Sequence, residues 1–209
     1  LLKFSCVLGD GSRPEEALAF SVLGRYLAET LESPLSRAVL AAGIGLDFSM
    51  GVMGGYRQPV LSFDLCKSDP ENAERFREII LDTLRLLVRD GLNRERLQNL
   101  INDHEVICRR QSLSVRVGFT IMESLLRSHV QLGDAAAPDG MVIRERLAEN
   151  PRYFEELIEK YVLNSDHWAL TRCIPSRTVA EEKRAVTDAW LASEAQRLHA
   201  IPGAYEALE

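Results

Sequence analysis

The sequence predicts an α+β fold, a two-layer sandwich in which an antiparallel or mixed sheet is covered by helices. Segments with an apolar residue at every second position alternate with segments of helical periodicity, in the order β-α-β-β-α-α. Two strand segments follow each other across a glycine turn, which is typical of a hairpin. The motifs G-x-G-x-x-G and G-x-x-x-x-G-K-[ST] are absent, so dinucleotide-binding and P-loop folds lack their signatures.

The first quarter of the chain predicts one strand and two helices. Leu2, Phe4 and Cys6 alternate with polar residues, which indicates a strand over 1–8. Apolar residues at helical spacing follow and predict a helix over 14–32. Ser33-Pro34 then begins a short helix that ends at Gly43, because proline is favoured in a first turn and glycine at a helix end.

A hairpin is predicted next, with strands over 46–53 and 60–66. The glycine-rich stretch 51–55 either lets a peptide backbone approach closely or forms a turn with a bulge, and we favour the turn. The alternation divides the side chains into two sets. We expect one set to face the helices and the other to face away, namely Leu46, Phe48, Leu61 and Phe63 against Asp47, Ser49, Ser62 and Asp64.

The rest of the chain is mainly helical in its periodicity. A strongly amphipathic helix begins after Ser68-Asp69-Pro70 and ends at Gly91, and Asn93 caps the next helix. Further on we predict helices over 116–131, 141–149 and 151–163, a loop over 133–140, a strand over 167–174 and a weakly amphipathic helix over 178–199.

Length and charge bound the class of protein. The chain has 209 residues, of which 46% are hydrophobic, and no apolar run approaches the roughly 18 residues of a membrane span. A net charge of −6 argues against nucleic acid and anionic membranes as partners. The chain begins with Leu1 rather than Met, so we expect an internal piece of a longer protein, with a domain over 1–175 and the start of a helical linker over 176–209.

The cysteine and histidine spacing predicts no metal or nucleophile site. The four cysteines form no C-x-x-C pair, and we expect reduced thiols in a reducing compartment, the cytoplasm or alternatively an organelle matrix. No two histidines lie three to five residues apart, and no G-x-S-x-G elbow occurs. We therefore assign no catalytic, cofactor-binding or metal residue, and interpret His104 as a core or boundary side chain; the remaining histidines and the cysteines are His129, His167, His199, Cys6, Cys66, Cys108 and Cys173.

Four collinear segments carry a family resemblance. The segment 150–164, NPRYFEELIEKYVLN, strongly resembles the presequence-protease branch of the insulinase/pitrilysin zinc metallopeptidases. The segment 26–45 is similar to the same branch through Glu32-Ser33-Pro34-Leu35 and Ala42-Gly43-Ile44-Gly45. The helix 100–106 and the step Gly133-Asp134 also resemble that branch.

The resemblance implies four related α/β domains that enclose a chamber, of which this chain is similar to the second, followed by the start of the helical hairpin that joins the two halves. The zinc motif H-x-x-E-H belongs to the first domain and is absent here. The resemblance implies that residues 23–27 occupy the helix that bears the motif in a catalytic sister domain, although none of them can bind zinc. It also implies that Glu105 lies in the counterpart of the helix that supplies the distal zinc carboxylate.

The function implied is that of a non-catalytic domain of a zinc metalloendopeptidase, inactive alone. It would wall a chamber for unfolded peptides, with zinc in another domain and with the parent's other domains and its peptide substrates as partners. The alternative is an inactive scaffold or interaction protein on the same fold. An independent enzyme of unrelated chemistry has little support, because the sequence contains no convergent polar constellation.

Overall fold

The computed structural model describes residues 1–9, 13–54, 56–112 and 141–200, together with 117–119, 122–123 and 126. It divides into two compact units, Leu1–Cys173 and Ile174–Glu209. The elements of the first unit are β1 (Leu2–Val7), α1 (Pro14–Ala28), α2 (Pro34–Ala41), β2 (Asp47–Met53), β3 (Val60–Cys66), α3 (Ala73–Asp90), α4 (Arg94–Ser112), α5 (Met141–Glu149), α6 (Tyr153–Ile158) and β4 (Trp168–Arg172). The second unit contains α7 (Val179–His199).

The four strands form one open sheet in the order β2-β3-β1-β4, and every neighbouring pair is antiparallel. Phe4 of β1 lies opposite Phe63 of β3 on one side and Leu170 of β4 on the other. The α+β prediction is therefore confirmed, and of the two sheet types expected the antiparallel one is observed. The central position of β1 and β3 places their apolar side chains at the middle of the helix-covered layer.

The core lies between one face of this sheet and the helices. Phe4 and Phe63 are fully buried and stack with ring centroids 5.6 Å apart. Phe48 of β2 meets Phe76 of α3 edge to face at 6.1 Å. Aromatic pairs of this kind stabilise a core beyond the burial of their area. The predicted inward orientation of Phe48, Leu61 and Phe63 is thereby confirmed.

Two side chains of the hairpin differ from the predicted pattern. Leu46 was expected to face the helices, but it lies before the first residue of β2 and is 71% exposed. Ser62 lies on the face opposite Phe63, yet it is only 6% exposed. The neighbouring strands shield it from water, since Ser62 lies between Ser5 of β1 and Gly51 of β2. Alternation fixes the face of a side chain, but neighbouring strands also determine its contact with water.

The predicted bulge in the glycine-rich stretch is wrong. Residues of β2 and β3 pair one to one along the whole ladder, from Asp47 opposite Cys66 to Met53 opposite Val60. Gly51 pairs with Ser62 as a regular strand residue, and a Cβ placed on it would meet nothing within 4 Å. The turn between the strands begins only after Met53.

Several helix and strand ends fall short of their predicted positions. The first helix was expected to reach residue 32, but α1 ends at Ala28. Ser33 is fully buried and its Oγ accepts a hydrogen bond from the N–H of Thr30 at 3.2 Å, which closes the turn between the helices. The helix expected over 151–163 is α6 followed by a π-helical turn, Glu159–Leu163.

The remaining predicted elements fall in two groups. The strand expected over 167–174 is the shorter β4, and the helix expected over 178–199 is α7. The predicted helix over 116–131 and the loop over 133–140, including His129 and Gly133-Asp134, lie outside the fully described residues. Three of the four cysteines are described as free, Cys6 buried, Cys66 half-buried and Cys173 exposed.

Candidate functional site

The family resemblance aligns the segment 23–27 with the zinc-binding helix of a catalytic sister domain. In the structure this segment lies in the C-terminal half of α1. Leu23 and Leu27 are buried in the core, and Tyr26 is nearly so. The remaining two positions are Gly24 and Arg25, so the helix offers no imidazole and no carboxylate at these positions. Catalytic zinc needs three protein ligands and an open position for water. The residues of this segment do not fit zinc.

Arg25 and Tyr26 instead fasten α1 to α4. The Arg25 guanidinium pairs with Glu29 at 3.2 Å and with Asp103 of α4 at 3.6 Å. The Tyr26 hydroxyl accepts a hydrogen bond from the N–H of Asn93 at 3.1 Å. The guanidinium of Arg96 lies 4.8 Å from the centre of the Tyr26 ring, a cation–π distance. This face of the segment therefore holds two helices together.

Glu105 occupies the helix predicted for the distal carboxylate, but a different partner neutralises it. Both Nη2 and Nε of Arg144 in α5 contact its Oε1, at 2.8 and 3.0 Å. The neighbouring His104 is half-buried, as expected of a boundary residue. Burial lowers the pKa of His104, the Arg25 guanidinium lowers it further, and Glu105 opposes both. Within the described part of the chain, no group of three His, Cys, Asp or Glu side chains could hold a metal ion.

A groove runs between α1 and the outer edge of β2. Side chains from both faces of β2 line it, including Met50 and Val52 on one face and Ser49 on the other. In the described residues β2 pairs only with β3, so its other edge has no strand partner. Gly24 also lines the groove, and a Cβ there would lie 3.8 Å from the Met50 carbonyl oxygen. The absence of a side chain at Gly24 leaves the strand backbone accessible beside the helix.

Three buried polar residues were missed by the sequence reasoning, and each has a partner distant in sequence. The Glu16 carboxylate accepts hydrogen bonds from Tyr161 and from Lys160. Glu155 accepts a hydrogen bond from the N–H of Leu92. The third is Ser33, whose Oγ accepts from Arg96 at 3.1 Å. The segments 26–45 and 150–164, which carry the family resemblance, therefore provide hydrogen bonds that join distant parts of the fold.

The buried thiol of Cys6 is not a candidate nucleophile. Burial raises the pKa of Cys6 to about 12, and the nearby Arg77 guanidinium opposes this shift only in part. A thiol with such a pKa is protonated at neutral pH and is inert as a nucleophile.

Comparison with known proteins relates the chain to one family of peptidases. The profile of the Peptidase M16 inactive domain matches residues 6–103. The chain is 28% identical to protein HypA of Clostridium perfringens over 183 residues, 86% of this chain and 19% of that protein. It is 26% identical to the mitochondrial presequence protease of Danio rerio over 203 residues, 94% of this chain and 20% of that protein. The chain thus spans about a fifth of these relatives.

Solved structures give the same fold. The inactive peptidase domain of a candidate zinc protease from Bordetella parapertussis superposes with a TM-score of 0.64 at 15% identity, covering 84% of this chain and 90% of that one. A protease from Helicobacter pylori gives a TM-score of 0.56 at 11% identity, over 81% of this chain and 40% of that one. These findings confirm the resemblance to the second, non-catalytic domain of insulinase-family peptidases, and they make the chain homologous to the M16 inactive domain and to presequence protease.

Hydropathy along the described helices gives one further result. Not one of them is both long and apolar enough to cross a lipid bilayer.

Proposed function

We propose that this chain is a non-catalytic domain of a larger zinc metalloendopeptidase and forms part of the wall of a chamber that encloses unfolded peptides. The observation that carries the proposal is the groove between α1 and the outer edge of β2. The chain covers only about a fifth of its relatives, which suits a domain whose partners are the other domains of the same parent. Zinc and the water nucleophile would then belong to another domain.

The groove suits an extended peptide because the unpaired main-chain groups of an edge strand can pair with an added strand. Gly24 on the helix side and Gly51 on the strand side place no side chain in the way. Recognition through main-chain hydrogen bonds tolerates many sequences, as an enclosure for unfolded peptides requires. An excess of carboxylates, with a net charge of −6, favours basic peptides.

The proposal extends to the organisation of the parent. Residues 1–175 would form the domain, and 176–209 would begin the helical linker between two halves. We place the protein in a reducing compartment, either the cytoplasm or an organelle matrix. The free thiols of Cys6, Cys66 and Cys173 support this placement, and the name of the Danio rerio relative favours the matrix.

Peptide binding by the isolated chain tests the groove. A labelled, unstructured basic peptide should bind, and Gly24→Leu should weaken binding about tenfold, roughly 1.4 kcal/mol, because the new side chain fills the groove. Ala192→Leu adds the same side chain on the exposed surface of α7 and serves as the matched control. Equal binding by wild type and both variants would refute the groove as the peptide site.

Elemental analysis and cleavage assays test the division of labour. The purified chain should contain no stoichiometric zinc and should not cleave the peptide. The longer parent should contain zinc and should cleave the peptide. One tightly bound zinc per copy of this chain, with chelator-sensitive cleavage, would overturn the proposal. A parent without H-x-x-E-H and without cleavage would instead identify the scaffold alternative.

A further inference from the structure

A second groove, distinct from the one along β2, is lined by three arginines. It lies between the C-terminal half of α3 and the π-helical turn after α6. Arg85 and Arg89 line it from α3, and Arg152 lines it from the residue before α6. All three side chains are more than half exposed.

Two apolar residues form the floor of the groove, Val88, which is 6% exposed, and the half-buried Leu163. Of the described residues that line the groove, only Glu159 has a carboxylate, and its Oε1 lies 3.9 Å from Nη2 of Arg152. The groove therefore offers guanidinium groups to an anionic side chain and an apolar surface to a neighbouring one.

The arginines of α3 can exchange their present partners. Arg85 pairs with Asp82 at 2.7 Å and Arg89 pairs with Asp90 at 2.7 Å, and all four side chains are exposed. The Arg89–Asp90 pair is bidentate, with a second hydrogen bond from Nη2 to Oδ2 at 3.0 Å. An exposed pair with a single contact contributes little to stability, so an incoming carboxylate can replace Asp82 at small cost and Asp90 at a greater one. Arg85 and Arg89 are four residues apart on one helix, where like charges repel each other. A bound anion between them would relieve that repulsion.

We propose that this groove is a docking site for an acidic peptide segment. Neighbouring Asp or Glu side chains of the segment pair with Arg85, Arg89 and Arg152, while an apolar side chain of the segment rests on Val88 and Leu163. The planar guanidinium fork matches a carboxylate bidentately, which a lysine ammonium cannot do. The apolar floor favours a peptide over a free inorganic anion, which has nothing to place there.

Fluorescence anisotropy with a short labelled peptide of alternating Glu and Leu tests the site on the whole 209-residue chain. We expect binding that weakens with added salt and disappears when every Glu of the peptide is replaced by Gln. The double variant Arg85→Gln/Arg89→Gln should bind at least about tenfold more weakly. The matched control, Arg37→Gln/Arg75→Gln, removes two exposed arginines elsewhere and should stay within about twofold of wild type.

A variant that binds the acidic peptide more tightly can distinguish specific binding in the groove from general electrostatic attraction. Glu159→Gln removes the carboxylate that competes for Arg152 and should tighten binding of the acidic peptide about threefold. Glu74→Gln, an exposed position near the start of α3, changes the net charge equally and should have no effect. Equal effects in target and control variants, failure of the wild type to bind the peptide, or arginine-dependent binding of inorganic phosphate alone would each overturn the proposal. These outcomes are independent of the β2 groove, because the two sites share no residue.

Discussion

The carboxylate of Glu155 in α6 accepts a hydrogen bond at 3.0 Å from the N–H of Leu92, a residue 63 positions earlier in the chain. Both residues are buried, and Leu92 lies in the link between α3 and α4. The preceding Gly91 has a φ of +83°, a conformation that L side chains rarely adopt. A carboxylate from the last third of the fold thus stabilises the main chain of a tight connection formed much earlier.

Removal of this carboxylate should be strongly destabilising. Glu155→Ala leaves a buried N–H without its acceptor and opens a cavity, so we expect a loss of about 2–4 kcal/mol in the free energy of unfolding. Glu155→Gln retains an acceptor oxygen and should cost less. Urea denaturation measures both, with the exposed Glu145→Ala of α5 as control. Similar losses for Glu155→Ala and Glu145→Ala would contradict the assigned hydrogen bond.

The stacked pair in the sheet gives a second prediction. Phe63→Ala removes a fully buried ring that stacks on Phe4, and should cost about 3–5 kcal/mol of unfolding free energy. Ser62→Ala removes a hydroxyl that donates to Asp64 at 3.0 Å and should cost about 0.5–1.5 kcal/mol. Chemical denaturation of both variants checks the order. A greater loss for Ser62→Ala would mean that the observed orientation of β3 is wrong.

Local patterns predicted most of this fold because the elements bury one face each. The hairpin alternation identified Phe48 and Phe63 as core residues, and both are buried. The burial of Ser62 could not be predicted, since it depends on which strands lie beside β3. The same limit applies to Leu46, whose exposure follows from where β2 begins. The alternation of apolar and polar residues indicates which face a side chain lies on. The ends and the order of the strands determine how far it is exposed.

The candidate sites were less predictable than the core. The lack of zinc ligands in 23–27 was evident from the sequence, and the structure adds what this segment does instead, as Tyr26 and Arg25 connect α1 to α4. The groove along β2 depends on an edge that only the strand order reveals. Glu16 pairs locally with Arg13 at 3.2 Å, but its buried partner Tyr161 lies 145 residues away, so no short-range signal could identify that contact.

The Glu16 cluster leads to a third prediction. The Tyr161 hydroxyl donates to the Glu16 carboxylate in a buried contact, whereas Lys160 approaches the same carboxylate from a half-exposed position at 3.2 Å. Tyr161→Phe should therefore cost about 1.5–3 kcal/mol of unfolding free energy, since it leaves a charged acceptor short of a donor. Lys160→Met should cost less than about 1 kcal/mol, because partly exposed ion pairs contribute little. Thermal and urea denaturation should agree on this order, and its reversal would refute the assignment.

Hydrogen exchange should distinguish α7 from α3. Helix α3 buries six side chains, whereas α7 buries none, and Val186 and Trp190 of α7 are at least 60% exposed. Exchange protection follows burial and packing, so amides over 180–198 should exchange much faster than those over 76–90. Mass spectrometry of the monomeric chain measures both segments in one experiment. Equal protection would contradict the high exposure of the α7 side chains.

The pH dependence of stability should contain a contribution from His104. Its pKa in the folded protein lies below the ordinary value of 6.5, mainly through burial and also through the Arg25 guanidinium. As the pH falls through the ordinary value, the unfolded chain therefore takes up a proton before the folded chain does. Protonation then favours unfolding, so this contribution to stability is lost as the pH falls from about 7.5 toward the lower, folded pKa.

Replacement of the imidazole should reduce this loss. Urea denaturation of wild type and His104→Gln at about pH 7.5 and about pH 5.5 gives the difference in unfolding free energy for each protein. We expect the wild type to lose more stability than the variant over this interval, whatever their absolute stabilities. His167→Gln removes an exposed imidazole and controls for general effects of the substitution. A loss in His104→Gln equal to or greater than that of the wild type would show that burial beside Arg25 does not disfavour the charged imidazole.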